Sequence, residues 1–126
     1  MVKVRGLGGV FFRASEPEAL AAWYERHFDI LQVPGDYESE PWQQEAGPTV
    51  FAPFASDTGY FGRPEQSFML NFRIDDLDAA VRELRAAGIK VEVDPESYPN
   101  GRFARLHDPE GNPIELWQPM KPEREG

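Results

Sequence analysis

The chain repeats one pattern of residues sixty positions apart, and this repeat constrains the fold more than any other feature. Residues 10–14 (VFFRA) match residues 70–74 (LNFRI), and residues 18–24 match residues 78–84. Each copy predicts a strand, a helix cap and an amphipathic helix, in that order. One such unit cannot bury both its helix and its sheet face, so the two copies predict one pseudo-symmetric α+β domain.

Local signals predict where the two helices begin and end. Ser15 is a favourable N-cap for the first helix, and Glu18 stands at the spacing that completes a capping box. Asp75 is predicted to begin the second helix, and Gly88 to end it in a left-handed conformation. Strands are predicted after the helices, and the segment after residue 118 is predicted to be a frayed tail. The predicted strands are 30–33, 49–52, 89–93, 102–107 and 114–117.

Composition excludes several classes of function. The net charge of −9 and the sequence pI near 4.7 argue against nucleic-acid binding, which needs clustered Lys and Arg. The absence of cysteine excludes disulfides and thiolate metal sites. No apolar run is long enough for a membrane span, and the polar start (MVKVRG) lacks a signal region. We therefore expect a cytoplasmic protein with no nucleic-acid or membrane partner.

Residues 101–117 (GRFARLHDPEGNPIELW) resemble the C-terminal signature of the vicinal oxygen chelate superfamily, which includes glyoxalases, bleomycin-resistance proteins and extradiol dioxygenases. Residues 19–24 and 72–78 resemble its first helix and the start of its second half. The resemblance implies one domain over residues 1–126, built of βαβββ units at about 6–54 and 67–118. Their sheets would form a curved cup with the helices outside and a small molecule inside. The resemblance also implies a homodimer.

Strand alternation predicts which side chains face the cup. The side chains predicted to face the helices are those of Val10, Phe12, Leu70, Phe72, Ile114 and Leu116. The opposite set supplies the candidate ligand-binding residues, with Trp42 and Tyr60 as further aromatic walls and His107 as a cup or packing residue. These candidates are Phe11, Arg13, Trp42, Met69, Asn71, Arg73, His107 and Trp117, with Glu115 as the candidate catalytic residue.

The resemblance implies metal ligands near Gly9, Met69 and Glu115 in the metal-dependent relatives. Only Glu115 offers a suitable donor, because glycine has no ligand atom and a thioether disfavours hard divalent ions. We therefore expect a metal-independent binding protein with no cofactor. The alternative is a metal-dependent glyoxalase-type lyase, isomerase or dioxygenase in which Glu115, with His107, is a metal ligand. A third possibility is a metal-free isomerase or lyase with Glu115 as general base.

Glu115 has two interpretations. It could serve as a general base or as the partner of a cationic ligand group. It could also pair with Arg13 or Arg73, because a carboxylate in an apolar cup needs a compensating partner. Whether the chain is an enzyme stays open at this point.

Overall fold

The computed structural model describes residues 1–120, in which two helices pack on one face of a four-stranded sheet. The sheet order is β1-β4-β3-β2; β1 runs parallel to β4, and the other neighbours are antiparallel. The elements are α1 (Pro17–Phe28), β1 (Leu70–Arg73), α2 (Leu77–Ala86), β2 (Glu92–Val93), β3 (Gly101–His107) and β4 (Pro113–Pro119).

One apolar cluster joins the helices to the sheet. Ile114 and Leu116 of β4 are fully buried, and Ala104 and Leu106 of β3 lie beside them. Both helices contribute buried side chains to the same cluster, which also contains Leu20, Tyr24, Leu77, Val81 and Leu84. The residues of β3 and β4 that lie between these core residues therefore point away from the helices, because successive side chains of a strand face opposite sides of the sheet.

The second half of the chain confirms the predicted mixed α+β architecture. Its strands lie within a few residues of the predicted ones, and Gly88 has a φ of +84° directly after α2. The helix begins two residues later than predicted, at Leu77. The reason is that Asp76 has an extended backbone, and its side chain accepts a hydrogen bond from the Ala79 N–H at 3.0 Å.

The first half differs from the prediction, because its three predicted strands are not formed in the described residues. Segments 10–14, 30–33 and 49–52 run without ladder pairing, and Phe11, Val33 and Phe51 are largely exposed. A strand is stable only when its backbone groups find a neighbouring strand and its apolar face is covered. The two-unit symmetry is therefore not confirmed.

A turn from the second half holds the first helix in place. The Glu110 carboxylate accepts hydrogen bonds from the backbone N–H groups of Ser15 and Glu16, at 2.7 and 3.0 Å. The predicted capping box of Ser15 with Glu18 was therefore wrong: the N-cap is Glu16, it makes no side-chain cap, and a distant carboxylate satisfies the free N–H groups. A few residues away, buried Asp108 accepts from the Tyr24 hydroxyl at 2.7 Å.

Neither helix within residues 1–120 has the length and apolar character of a membrane span. The predicted tail falls mostly on residues 121–126, which lie outside the described residues.

Candidate ligand site

The sheet face opposite the helices, here called the cup face, carries several of the predicted site residues. On β4 it presents Glu115 and Trp117, because Ile114 and Leu116 face the helices. The parallel register places Asn71 beside Glu115 and Arg73 beside Trp117. The strands thus bring these four predicted side chains onto one surface.

Glu115 is buried, with 7% of its surface exposed, and both of its carboxylate oxygens are bonded. Asn71 Nδ2 donates to Oε1 at 2.7 Å, and the Tyr60 hydroxyl donates to Oε2 at 2.5 Å. Burial and this hydrogen bond to Glu115 raise the pKa of Tyr60 to about 12. The predicted pairing of Glu115 with Arg13 or Arg73 was wrong: no ion pair joins them within residues 1–120. A neutral amide and a phenol compensate the buried charge instead.

The side chain of Arg105, a residue that was not predicted from the sequence, holds Tyr60 in position over the cup face. It lies opposite Glu115 in the antiparallel register of β3 and β4. Its Nη2 donates to the Tyr60 carbonyl at 2.6 Å, and its guanidinium carbon lies 4.5 Å from the centroid of the Tyr60 ring. A cation at that distance from an aromatic face is attracted to it. The segment around Tyr60 therefore covers Glu115.

An open cavity of about 1530 Å³ lies beside β1, between the sheet and the first half of the chain. This volume exceeds the ~300–1000 Å³ of typical ligand pockets, so a drug-sized molecule has room in it. We call it the β1 cavity. It is lined by seven of the eight predicted ligand-binding residues, namely Phe11, Arg13, Trp42, Met69, Asn71, Arg73 and Trp117.

The eighth predicted residue, His107, does not line the β1 cavity. It lies on the cup face at the end of β3, because Ala104 and Leu106 of that strand point to the core, and it is exposed. Glu115 does not line the cavity either, since Tyr60 and Asn71 surround its oxygens. Ligand binding by the lining residues stays a prediction.

Trp117 forms a fixed aromatic wall at the sheet end of the cavity. Its indole N–H donates to the Asn100 carbonyl at 2.7 Å, and the ring is 8% exposed. Phe103, another residue that sequence analysis missed, is nearly parallel to it, with ring centroids 6.4 Å apart. Alternation along the predicted strand 102–107 would have placed Phe103 and Arg105 on one face, and this was the available signal.

An irregular loop of the first half, which contains Glu45 and Gly47, holds Arg73 at the cavity wall. Arg73 Nη2 donates to the Glu45 carbonyl at 2.8 Å. The guanidinium packs so closely against Gly47 that a Cβ at this position would overlap it. The missing side chain of Gly47 therefore makes room for Arg73.

The residues of the cup face do not fit a metal ion. Residues 1–120 contain no cluster of three or more His, Asp or Glu side chains able to hold one. The two candidate donors named in the sequence analysis already have hydrogen-bond partners in the protein. Glu115 accepts from Tyr60 and Asn71, and the Met69 sulfur accepts from Arg105 at 3.1 Å. A catalytic divalent ion requires about three protein ligands, which this face does not provide.

Comparison with known proteins places these features in context. The family model of the glyoxalase-like domain matches residues 9–117. The uncharacterized protein YaeR of Escherichia coli (strain K12) is 43% identical over 61 residues, which are 44% of this chain and 46% of that relative. The chain thus spans about half the length of this curated relative.

Two solved structures are similar over most of the chain. TnmS3, an antibiotic binding protein from Streptomyces sp. CB03234, is 28% identical, with 84% of this chain and 88% of that chain covered and a TM-score of 0.53. A protein from Bacillus anthracis assigned to the glyoxalase family is 18% identical, with coverages of 82% and 84% and a TM-score of 0.51. The second similarity concerns the fold alone.

Proposed function

Because this chain belongs to the glyoxalase-like domain family of the vicinal oxygen chelate superfamily, we propose that it binds a small organic molecule in the β1 cavity without the help of a metal ion. The observation that carries this proposal is that seven predicted residues line one cavity, which has room for a drug-sized molecule. The similarity to TnmS3, an antibiotic binding protein, supports the same class of function.

Two indole rings line the cavity and could contact such a ligand. Trp117 is held by its hydrogen bond to Asn100, so it is ordered before a ligand arrives. Trp42, which is 42% exposed, contributes a second indole from the first half of the chain. A planar ligand that packs on a ring already held in place does not have to immobilise that ring, which favours affinity.

A titration of tryptophan fluorescence with doxorubicin and bleomycin, two antibiotics with aromatic groups, tests the proposal. We expect saturable quenching, and Trp42→Ala should weaken binding at least about tenfold because aromatic anchors dominate binding energies. Tyr37→Ala is the matched control, since Tyr37 is a fully exposed aromatic residue of the same segment that does not line the cavity. Equal effects of the two substitutions would contradict binding in the β1 cavity.

Metal independence is supported by the donor set of the cup face. Elemental analysis of protein purified without chelator should find far less than one equivalent of Zn, Ni, Mn or Fe. Stoichiometric metal would instead favour the alternative, a metal-dependent lyase, isomerase or dioxygenase that uses Glu115.

A metal-free enzyme is the second candidate, and the contact between Tyr60 and Glu115 is what favours it. A phenol bonded to a buried carboxylate is a pair through which a proton could move to or from a substrate, which would have to bind on the cup face beside Tyr60, since neither residue lines the β1 cavity. Glu115→Gln separates the two candidates: it should abolish turnover in an enzyme and leave ligand affinity almost unchanged in a binding protein.

We also propose a cytoplasmic homodimer. Its support is the exposed apolar side chains of the unpaired first half that do not line the β1 cavity, such as Val4, Val33 and Phe51. Sedimentation velocity should give the mass of two chains, and a monomer at micromolar concentration would contradict this proposal.

A further inference from the structure

Arg73 lies at the wall of the β1 cavity and makes no ion pair within residues 1–120. It is half-buried, and its one hydrogen bond within residues 1–120 goes to the neutral carbonyl of Glu45. By contrast, Arg102 is paired with Asp78 at 3.1 Å. A guanidinium has five N–H donors, so most of the donors of Arg73 have no protein acceptor in the described residues.

A second guanidinium lines the same cavity. Arg13 occupies the repeat position sixty residues before Arg73, and it makes no ion pair within residues 1–120. Four carboxylates also line the cavity, but none lies within 4.0 Å of either guanidinium. They belong to Asp29, Glu45, Glu65 and Asp75. Neither arginine is therefore paired directly with an acid, but the lining as a whole carries four carboxylates and two guanidinium groups, so any preference for an anion depends on its direct contact with Arg73.

The contacts of Arg73 hold it in place without pairing it directly with an acid within residues 1–120. The Glu45 carbonyl fixes one nitrogen, and the absence of a side chain at Gly47 leaves the space that the guanidinium occupies. The register of β1 with β4 places Arg73 beside Trp117, so a residue with a forked, positively charged guanidinium neighbours a residue with a fixed aromatic ring. A fork of this kind matches a carboxylate or sulfonate, with two parallel hydrogen bonds.

We propose that the ligand of the β1 cavity is an aromatic acid, whose anionic group is bound by Arg73 and whose ring packs against Trp117 and Trp42. This inference rests on the proposed function, because it names the ligand class of the same cavity. Arg13 adds positive charge at the more exposed side. The anion would supply the acceptors that the protein does not give to Arg73.

Three naphthalene probes of one shape and different charge test the proposal by calorimetric titration: 2-naphthoate, 2-naphthylmethanol and 2-(aminomethyl)naphthalene. Wild-type protein should bind the anion at least about tenfold more tightly than the neutral alcohol, and the cation most weakly. Arg73→Gln should remove the preference for the anion and leave the affinity for the alcohol within about twofold. Arg82→Gln, on the exposed face of α2, controls for the change in net charge.

Gly47→Ala gives an independent test that leaves the charge in place. The added methyl overlaps the guanidinium and must displace it, so the preference for naphthoate should fall as in Arg73→Gln. Gly35→Ala is the control, because a Cβ at Gly35 meets no atom within 4 Å. Melting temperatures of all variants would exclude loss of folding as the cause.

The outcomes separate this inference from the proposed function. If the alcohol binds as tightly as naphthoate and Trp42→Ala weakens both, the cavity binds ligands but the acid preference is refuted. Tighter binding of the cationic probe, or no naphthoate binding at millimolar concentration, also overturns the inference. If Trp42→Ala changes the binding of no probe, both proposals fail.

Discussion

Replacing Tyr24 by phenylalanine tests whether the buried contact between α1 and the turn after β3 stabilises the fold. The Tyr24 hydroxyl donates to Asp108 Oδ2 at 2.7 Å, and the two residues are 6% and 4% exposed. Tyr24→Phe removes one oxygen atom and leaves the ring packing intact. A hydrogen bond to a charged group contributes about 1.5–3 kcal/mol to the free energy of unfolding.

The expected loss lies in the lower part of that range because Asp108 keeps other partners. Asn112 Nδ2 donates to the same oxygen at 2.8 Å, and the backbone N–H groups of Glu110 and Asn112 donate to Oδ1. The carboxylate is therefore not left without partners, and we expect a loss of about 1.5–2 kcal/mol. For a domain of this size, that corresponds to a decrease in melting temperature of about 5–10 °C.

Urea denaturation and thermal melts followed by circular dichroism measure this loss, with Tyr98→Phe as the matched control. Tyr98 makes the same kind of contact, donating to Asp94 Oδ2 at 2.9 Å, but near the solvent and within one turn of chain. Its substitution should change the melting temperature very little, because water replaces the lost partner. Equal effects of the two substitutions, or no effect of Tyr24→Phe, would refute the argument that burial determines the cost.

The same contact predicts how stability depends on alkaline pH. Burial and the hydrogen bond to Asp108 raise the pKa of Tyr24 above its ordinary value of 10. A tyrosine whose pKa is raised on folding stabilises the protein fully below pH 10, and the stabilisation is lost as pH rises further. Tyr24→Phe should therefore lose less stability than the wild type between neutral and strongly alkaline pH. A parallel decline of both proteins would contradict this sign.

Three further substitutions test other contacts. Tyr60→Phe should lower, by the contribution of one tyrosine, the late step of the tyrosinate absorbance titration near pH 12, to which Tyr98 also contributes; an unchanged amplitude of that step would show that Tyr60 is not one of its sources. Glu110→Ala should lower the free energy of unfolding by about 0.5–2 kcal/mol, as loss of a helix cap does, and Glu110→Gln by less because it keeps an acceptor. Gly101→Ala should lower the melting temperature strongly, because Gly101 has a φ of +133° and an added Cβ would overlap the Gln118 carbonyl on β4. Gly59→Ala is the control, because a Cβ at Gly59 meets no atom within 4 Å. Similar melting temperatures of the two variants would contradict this reasoning.

The second half of the chain was predictable because its signals are local and agree with one another. The alternation of residues 114–117 assigned Ile114 and Leu116 to the core, and both are fully buried. The same alternation assigned Glu115 to the opposite face, and the turn residues 108–113 predicted the hairpin between β3 and β4. Asn71 was assigned to the same face as Glu115, and the register brings them into contact.

The partners of the charged residues were not predictable, because they depend on segments without a periodic pattern. Tyr60 reaches Glu115 from the segment between the two halves, and the Glu45 carbonyl reaches Arg73 from an irregular loop. The cap of α1 comes from Glu110, more than ninety residues away, while Ser15 and Glu18 offered a plausible local cap. The strands of the first half failed for a related reason, since pairing depends on a neighbour that the sequence does not specify.

The contacts of Glu110 and Asp108 with α1 have a consequence for synthesis on the ribosome. They join residues 95 and 84 positions apart, so the turn that holds α1 is made long after the helix itself. At roughly 5–20 residues per second, the helix waits about 4–20 s for its partner. During that time the apolar side of α1, with Leu20 and Trp23, lacks the sheet that later covers it. The nascent chain therefore exposes this apolar side until residues 101–119, which form β3 and β4, have been translated.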